Sequence, residues 1–485
     1  MQASPYRGMC AVDCSELTAT AALAAMDEGR ISSSELTAAL AERCARFASL
    51  NAFIHFDPDG AKATAAVSDK RRKSGKAGSD KVGVLEGLPL VLKDNIDTAA
   101  MPTTGGTPVL RKHRPKQDAP VAARLIAAGA VILGKTNLHE LAYGITNNNA
   151  AFGAARNPYD PTRIPGASSG GTGVAVAARM APAGIGSDTG GSVRIPAALC
   201  GIQGLRPTLL RWPQEGIVPI SHTRDTAGPM ARSVADLALL DGVVTGSALT
   251  EAKAALKGLR IGVPRGLFWE SLHPDTARIA EDTLKTLAKA GVVLVEADIP
   301  DVGALDQAAG FPIALYESIV DLDRYLAGHK TGLDFRKVVA EVASPDVKGI
   351  LSSLLGEMAV PEPAYREALT VHRPRLQRAY ADYFRRERVE AVIFPTTPLP
   401  AARIGEDETV MLNGAAVPTF TTFIRNTSPG SVAGIPGLSL AAGLTPAGLP
   451  VGMEIDAPED SDRRLLGLGL AIEAILPPLP PPRLD

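Results

Sequence analysis

From Gly87 to about Gly246 the chain alternates short apolar runs with stretches of helical spacing, and no other feature constrains the fold as much. LPLVL (88–92), AVIL (130–133) and AGIGS (183–187) have the length and composition of buried strands, and APVAARLIAAG (119–129) that of a helix. Strands interleaved with helices predict an α/β sheet covered by helices. LRIGVP (259–264), a helix near 275–290 and VVLVEADI (292–299) repeat the pattern. VEAVIFPTTP (389–398) and GLPVGMEI (448–455) add two strands, and DSDRRLLGLGLAIEAI (460–475) a closing helix with a polar cap. Ahead of the alternation, residues 15–73 read as helical, interrupted by the short strand NAFIHF (51–56). Ser32-Ser33-Ser34-Glu35 supplies capping chemistry for the helix that follows, and residues 74–82 read as a polar loop. Residues 302–388 read as mostly helical. Their aromatics (Phe311, Tyr316, Tyr325, Phe335, Tyr365, Tyr380, Tyr383, Phe384) read first as core and second as pocket wall.

Composition narrows the function. With 50 basic and 52 acidic residues the net charge is −2, so no basic excess is available for a nucleic-acid partner. Cys10, Cys14, Cys44 and Cys200 form no CxxC pair and read as reduced thiols. Cys10 and Cys14 have no neighbouring histidine to complete a metal site, so no metal is expected. No apolar run is long enough to span a bilayer, and MQASPYRGMCAVDC lacks the basic-then-apolar pattern of a secretory signal. A cytoplasmic enzyme without a membrane partner is the expectation.

Three segments carry chemistry. EGLPLVLKDNID (86–97) is a buried-looking strand that delivers Lys93 at its end; alone, it reads as a lysine snorkelling to solvent. IPGASSGGTGVAVAA (164–178) leads a Gly/Ser loop holding Ser168 and Ser169 into a small-residue helix. It lacks the lysine of a phosphate-binding loop. In GIGSDTGGSVRIPAALCG (184–201) two glycines precede Ser192, a pattern that lets backbone N–H groups converge on an oxyanion. Alone, it also reads as a tight turn with a helix N-cap serine. His139 and His222 lie near these segments and read as structural.

Together the three segments, in this order and spaced by 75 residues (Lys93 to Ser168) and 24 residues (Ser168 to Ser192), resemble the amidase signature family. The resemblance is clearest from about 84 to 230 and continues through VIFPTTP (392–398) and NTSPGSVAGIPGLSLAAG (426–443). Within the family, residues 138–171 and 207–230 look most like arylalkyl amide hydrolases of the indoleacetamide and mandelamide hydrolase type.

The resemblance implies the amidase-signature fold: a large, mixed, twisted β-sheet covered by helices on both faces, with a helical lobe on the substrate side. Four regions follow: an N-terminal helical region (1–80), the core with the triad (81–250), a strand-helix unit with the helical lobe (251–390), and the C-terminal part of the sheet (391–485). It implies Ser192 as nucleophile, Ser168 as bridging serine and Lys93 as base. The N–H groups of Thr189, Gly190, Gly191 and Ser192 would form the oxyanion hole. Ser169 and the pair Asp188 and Arg194 would support the loops. The family loop reads Gly-Gly-Ser-Ser-Gly-Gly, with Ala167 here at the second glycine and a cis bond implied before Ser168.

Chemically, a lysine can be the base only if neutral, and burial lowers its pKa. Lys93 would then draw a proton from Ser168, which draws one from Ser192, giving an acyl-enzyme without cofactor or metal. The expected substrate is a small aryl or arylalkyl carboxamide, released as acid plus ammonia or amine; a homodimer is expected from the resemblance alone. The alternatives are an anilide-cleaving aryl acylamidase, the amidase subunit of a glutamine-dependent tRNA amidotransferase, a membrane-associated fatty-acid amide hydrolase and a non-catalytic scaffold. Ile195 stands where the amidotransferase subfamily usually has glutamine.

Overall fold

The computed structural model describes residues 13–75, 82–356 and 359–484. Cys10 and most of the loop expected at 74–82 lie outside them. Its strands are β1 (Phe53–Phe56), β2 (Pro89–Lys93), β3 (Val131–Thr136), β4 (Ala183–Asp188), β5 (Gln203–Arg206), β6 (Thr226–Ala231), β7 (Arg260–Val263), β8 (Val293–Glu296), β9 (Ala391–Pro395), β10 (Thr409–Leu412), β11 (Ala415–Pro418), β12 (Gly437–Leu444) and β13 (Pro450–Asp456). Eleven of them form one sheet in the order β1-β3-β2-β4-β6-β5-β12-β13-β9-β7-β8, and β10 pairs with β11 alone.

The sheet is mixed in a definite way. β3, β2 and β4 run parallel, as do β9, β7 and β8. Between these blocks β6, β5, β12 and β13 pair antiparallel. Parallel strands need cover on both faces, which is why every residue of β2 and β4 is buried. The strands expected at 51–56, 88–92, 130–133, 183–187, 259–264, 292–299, 389–398 and 448–455 all form. β5, β6 and β12 are unmarked in the sequence pattern.

The largest core cluster joins β2, β3, β4, β6, β12 and β13 to the helices Ala19–Asp27, Ser33–Arg46, Gly170–Ala177, Val234–Thr245 and Asp462–Glu473. Ser32 and Glu35 cap the second of these reciprocally. Residues 302–388 form the expected helical lobe, opened by the long helix Val302–Gly328. Its Leu322, Leu326, Phe335 and Val338 pack on Leu138, Leu141 and Val218 of the core. Most lobe aromatics take the core role: Phe335, Tyr380 and Tyr383 are fully buried. Tyr316 and Tyr365 are half-buried, and Phe311 is 41% exposed.

Phe394 on β9 stacks on Phe268 with ring centroids 4.2 Å apart, both rings sealed from solvent. Phe394→Ala should cost about 3–5 kcal/mol, read as a lowered urea midpoint. Val293→Ala on the exposed edge strand β8 should stay within about 0.5 kcal/mol of the parent.

Candidate active site

Lys93 ends β2, between the carboxyl ends of β3 and β4, where ligands collect in open α/β sheets. Its side chain is fully buried. The Lys93 Nζ is hydrogen-bonded to Ser168 Oγ at 2.7 Å, to Ser187 Oγ at 2.8 Å and to the Ser187 carbonyl at 3.5 Å. Asn95 Nδ2 donates to the same Ser187 hydroxyl at 2.9 Å. No carboxylate lies within 4 Å of Nζ among the described residues. Burial pulls the amine down to about 7, against the more distant pull of Asp188 and Asp225. Lys93 is therefore held inside and not turned out to solvent.

Ser168 sits in the loop before the helix Gly170–Ala177, and its Ala167–Ser168 peptide is cis. Its carbonyl accepts from His139 N–H at 3.2 Å. Ser169 ties this loop to the next: its N–H donates to the Ser192 carbonyl at 3.1 Å and its hydroxyl to the Ser187 carbonyl at 3.1 Å. The helix lies close against its surroundings because Gly171 has no side chain; a Cβ there would stand 2.5 Å from the backbone of Asn137 and Ala52.

The turn from β4 to the helix Arg194–Leu199 is organised by Asp188. This buried carboxylate accepts from the N–H groups of Gly191 (2.8 Å) and Val193 (3.1 Å), and from Arg194 and Arg206. Burial acts to raise its pKa, but Arg194 and Arg206 outweigh it and hold the carboxyl well below the usual range. Arg194 also donates to Glu454 at 2.6 Å and to Ser431 Oγ at 2.6 Å. Gly191 adopts φ +138°, and a Cβ there would fall 2.1 Å from Thr427 Oγ1, so only glycine fits.

Two details differ from the sequence reading. The Gly191 N–H is held by Asp188, which removes it from the expected oxyanion set. The N–H groups of Thr189, Gly190 and Ser192 have no hydrogen-bond acceptor among the described residues. Val193, not Ser192, occupies the helix cap.

Ser192 lines a cavity of about 360 Å³ walled by Tyr143, Ile145, Ile220, Phe311, Leu315, Ile350, Phe420 and Ile424. Its hydroxyl makes no hydrogen bond among the described residues, to Ser168 included. Phe420 and Ile424, four apart on the helix Thr419–Ile424, face the cavity together. The β10–β11 hairpin leads into that helix, and Asn413-Gly414 at its tip, both at positive φ, is the sequence signal for it. The sequence reading also missed Ser187, Asn95, Arg206 and Glu454. His139 accepts from Asn147 N–H and pairs with Asp346 at 2.9 Å, and His222 lies 2.8 Å from Asp321; neither bonds to Ser192. Among the described residues no helix is long and apolar enough to cross a membrane.

A family model described as Amidase matches residues 35–466. An indoleacetamide hydrolase of Agrobacterium vitis is 48% identical over 439 residues, 90% of this chain and 92% of that protein. A mandelamide hydrolase of Pseudomonas putida is 41% identical over 95% of this chain and 92% of its own length. Among solved structures, the peptide amidase from Stenotrophomonas maltophilia superposes with a TM-score of 0.83 at 32% identity, covering 97% of this chain and 99% of that one. The mixed eleven-stranded sheet flanked by helices is the amidase-signature α/β fold. A fold, a site and a set of relatives that agree over nearly the whole chain leave one assignment: this chain belongs to the amidase family and is an amide-hydrolysing enzyme.

Proposed function

We propose that the chain hydrolyses a small aryl or arylalkyl carboxamide through a Ser192 acyl-enzyme, with Ser168 as proton relay and Lys93 as base. The observation that carries this reading is the Lys93 amine, fully buried, 2.7 Å from Ser168 Oγ and, among the described residues, without a neighbouring carboxylate. A neutral amine has two N–H bonds and one lone pair. The Ser187 hydroxyl and carbonyl take the N–H groups, which turns the lone pair to the Ser168 proton.

Ser168 then accepts the Ser192 proton as the Ser192 oxygen attacks the carbonyl carbon. The open distance between the two hydroxyls closes when substrate fills the cavity, as hydrogen bonds of this kind do in the loaded complex. The free N–H groups of Thr189, Gly190 and Ser192 receive the developing oxyanion, each donor contributing about 3 kcal/mol. Ser168 hands its proton to the departing nitrogen, and water releases the acid by the same relay reversed. Asp188 and Arg194 fix the turn, and Ser169 ties it to the Ser168 loop. The apolar cavity and the resemblance to the two hydrolases favour an aryl or arylalkyl acyl group.

Ser192→Ala should abolish hydrolysis of phenylacetamide and indole-3-acetamide, measured as ammonia released; near-normal turnover would sink the assignment. Lys93→Arg, which stays protonated, should lose about 10²–10⁴-fold in kcat/KM with the fold intact by circular dichroism.

The base works only when uncharged, so kcat/KM should rise with pH through about 7 and level off above it. A profile flat from pH 5 to 9 would remove Lys93 from the role.

A further inference from the structure

Arg224 is 4% exposed and lines the same cavity as Ser192. Its Nη1 donates to the Gly310 carbonyl at 2.7 Å. Nε and Nη2 make no hydrogen bond among the described residues. Buried guanidinium groups are costly unless paired, yet no carboxylate comes within 4 Å of this one among the described residues.

The acids nearest to it are committed elsewhere. Asp306 accepts from Ser428 at 2.9 Å. Asp225 is held by Thr189 and by the N–H groups of Ile220 and Ser221. Glu317 is held by Ser221 and Tyr365. These carboxylates balance the charge from a distance and leave the donors free.

The donors also stand at a telling place. Nη2 lies 3.5 Å from where a Cβ on Gly190 would be, beside the N–H groups assigned above to the oxyanion. The walls around it, Ile220, Phe311, Leu315, Phe420 and Ile424, are apolar. A matching acyl group has an apolar ring and one acceptor oxygen next to its carbonyl. An indole N–H, itself a donor, gives Arg224 nothing to bind.

Building on the proposed hydrolysis at Ser192, we infer that Arg224 is a specificity-determining residue that binds a 2-hydroxy or 2-oxo oxygen on the acyl group, so that arylacetamides carrying such an oxygen are preferred.

The test compares kcat/KM for phenylacetamide, mandelamide and phenylglyoxylamide in the parent, Arg224→Met and Arg224→Lys. The parent should favour an oxygen-bearing amide over phenylacetamide by about 10- to 100-fold, the range of a charge-assisted hydrogen bond. Arg224→Met should bring that ratio close to one, and Arg224→Lys should recover part of it. A parent ratio near one, or a Met variant that slows all three amides by the same factor, overturns the proposal. If the parent cleaves none of them, the Ser192 reading fails. Calorimetry then decides Arg224 separately, using Ser192→Ala with and without Arg224→Met. Tighter mandelamide than phenylacetamide binding that vanishes with Arg224 upholds the subsite; equal binding rejects it.

Discussion

Two lysines are fully buried on adjacent strands of this sheet, and the proposed chemistry depends on the difference between them. Lys135 on β3 has the Asp94 carboxylate at 3.2 Å. At an effective dielectric of 20 such a pair recovers about 5 kcal/mol, comparable to the several kcal/mol that desolvation removes. Lys93 on β2 is offered hydroxyls and a carbonyl instead. Those partners satisfy an amine as well as an ammonium, so burial decides the protonation state. The parallel block β3-β2-β4 creates this situation, because a strand flanked on both sides and covered on both faces leaves its last side chain no path to water.

The turn after β4 solves the opposite problem. Its carboxylate must stay charged, and two buried arginines see to that. A charged Asp188 can grip the N–H groups of Gly191 and Val193, which bends the backbone until the neighbouring N–H groups are left without an acceptor among the described residues. A charged Asp188 and an amine of lowered pKa at Lys93 thus coexist in one site, each maintained by its local partners.

How much of this was legible in the sequence depended on range. β2 declares itself because complete burial writes an unbroken apolar run, β4 opens on a shorter run of small and apolar residues, and the capping box at Ser32 is a local affair. β5, with its four residues QGLR, and β6, with Gly228 and Pro229 inside it, carry no such run; they are strands because the ladder around them needs partners. Glu454 escaped because its partner Arg194 lies 260 residues away, and Arg206 because nothing local marks a strand residue that reaches across to Asp188 at the end of β4. Gly191 was placed in the right turn but given the wrong acceptor, since spacing shows that N–H groups converge and not which oxygen reaches them first. The apolar cavity walls come from five segments with no motif between them, so beyond Phe311 the sequence did not mark them.

The bonds from Arg194 to Ser431 and Glu454, and from Thr427 to the Gly190 carbonyl, have a consequence for how the enzyme comes into being. The three proposed reacting groups and Asp188 are all made within the first 192 positions, but the braces on Gly190 and Arg194 are supplied by the last sixty or so. A growing chain emerging from the ribosome therefore carries the serines and the lysine before it can brace their turn. The turn is fully braced only when those carboxyl-terminal residues dock.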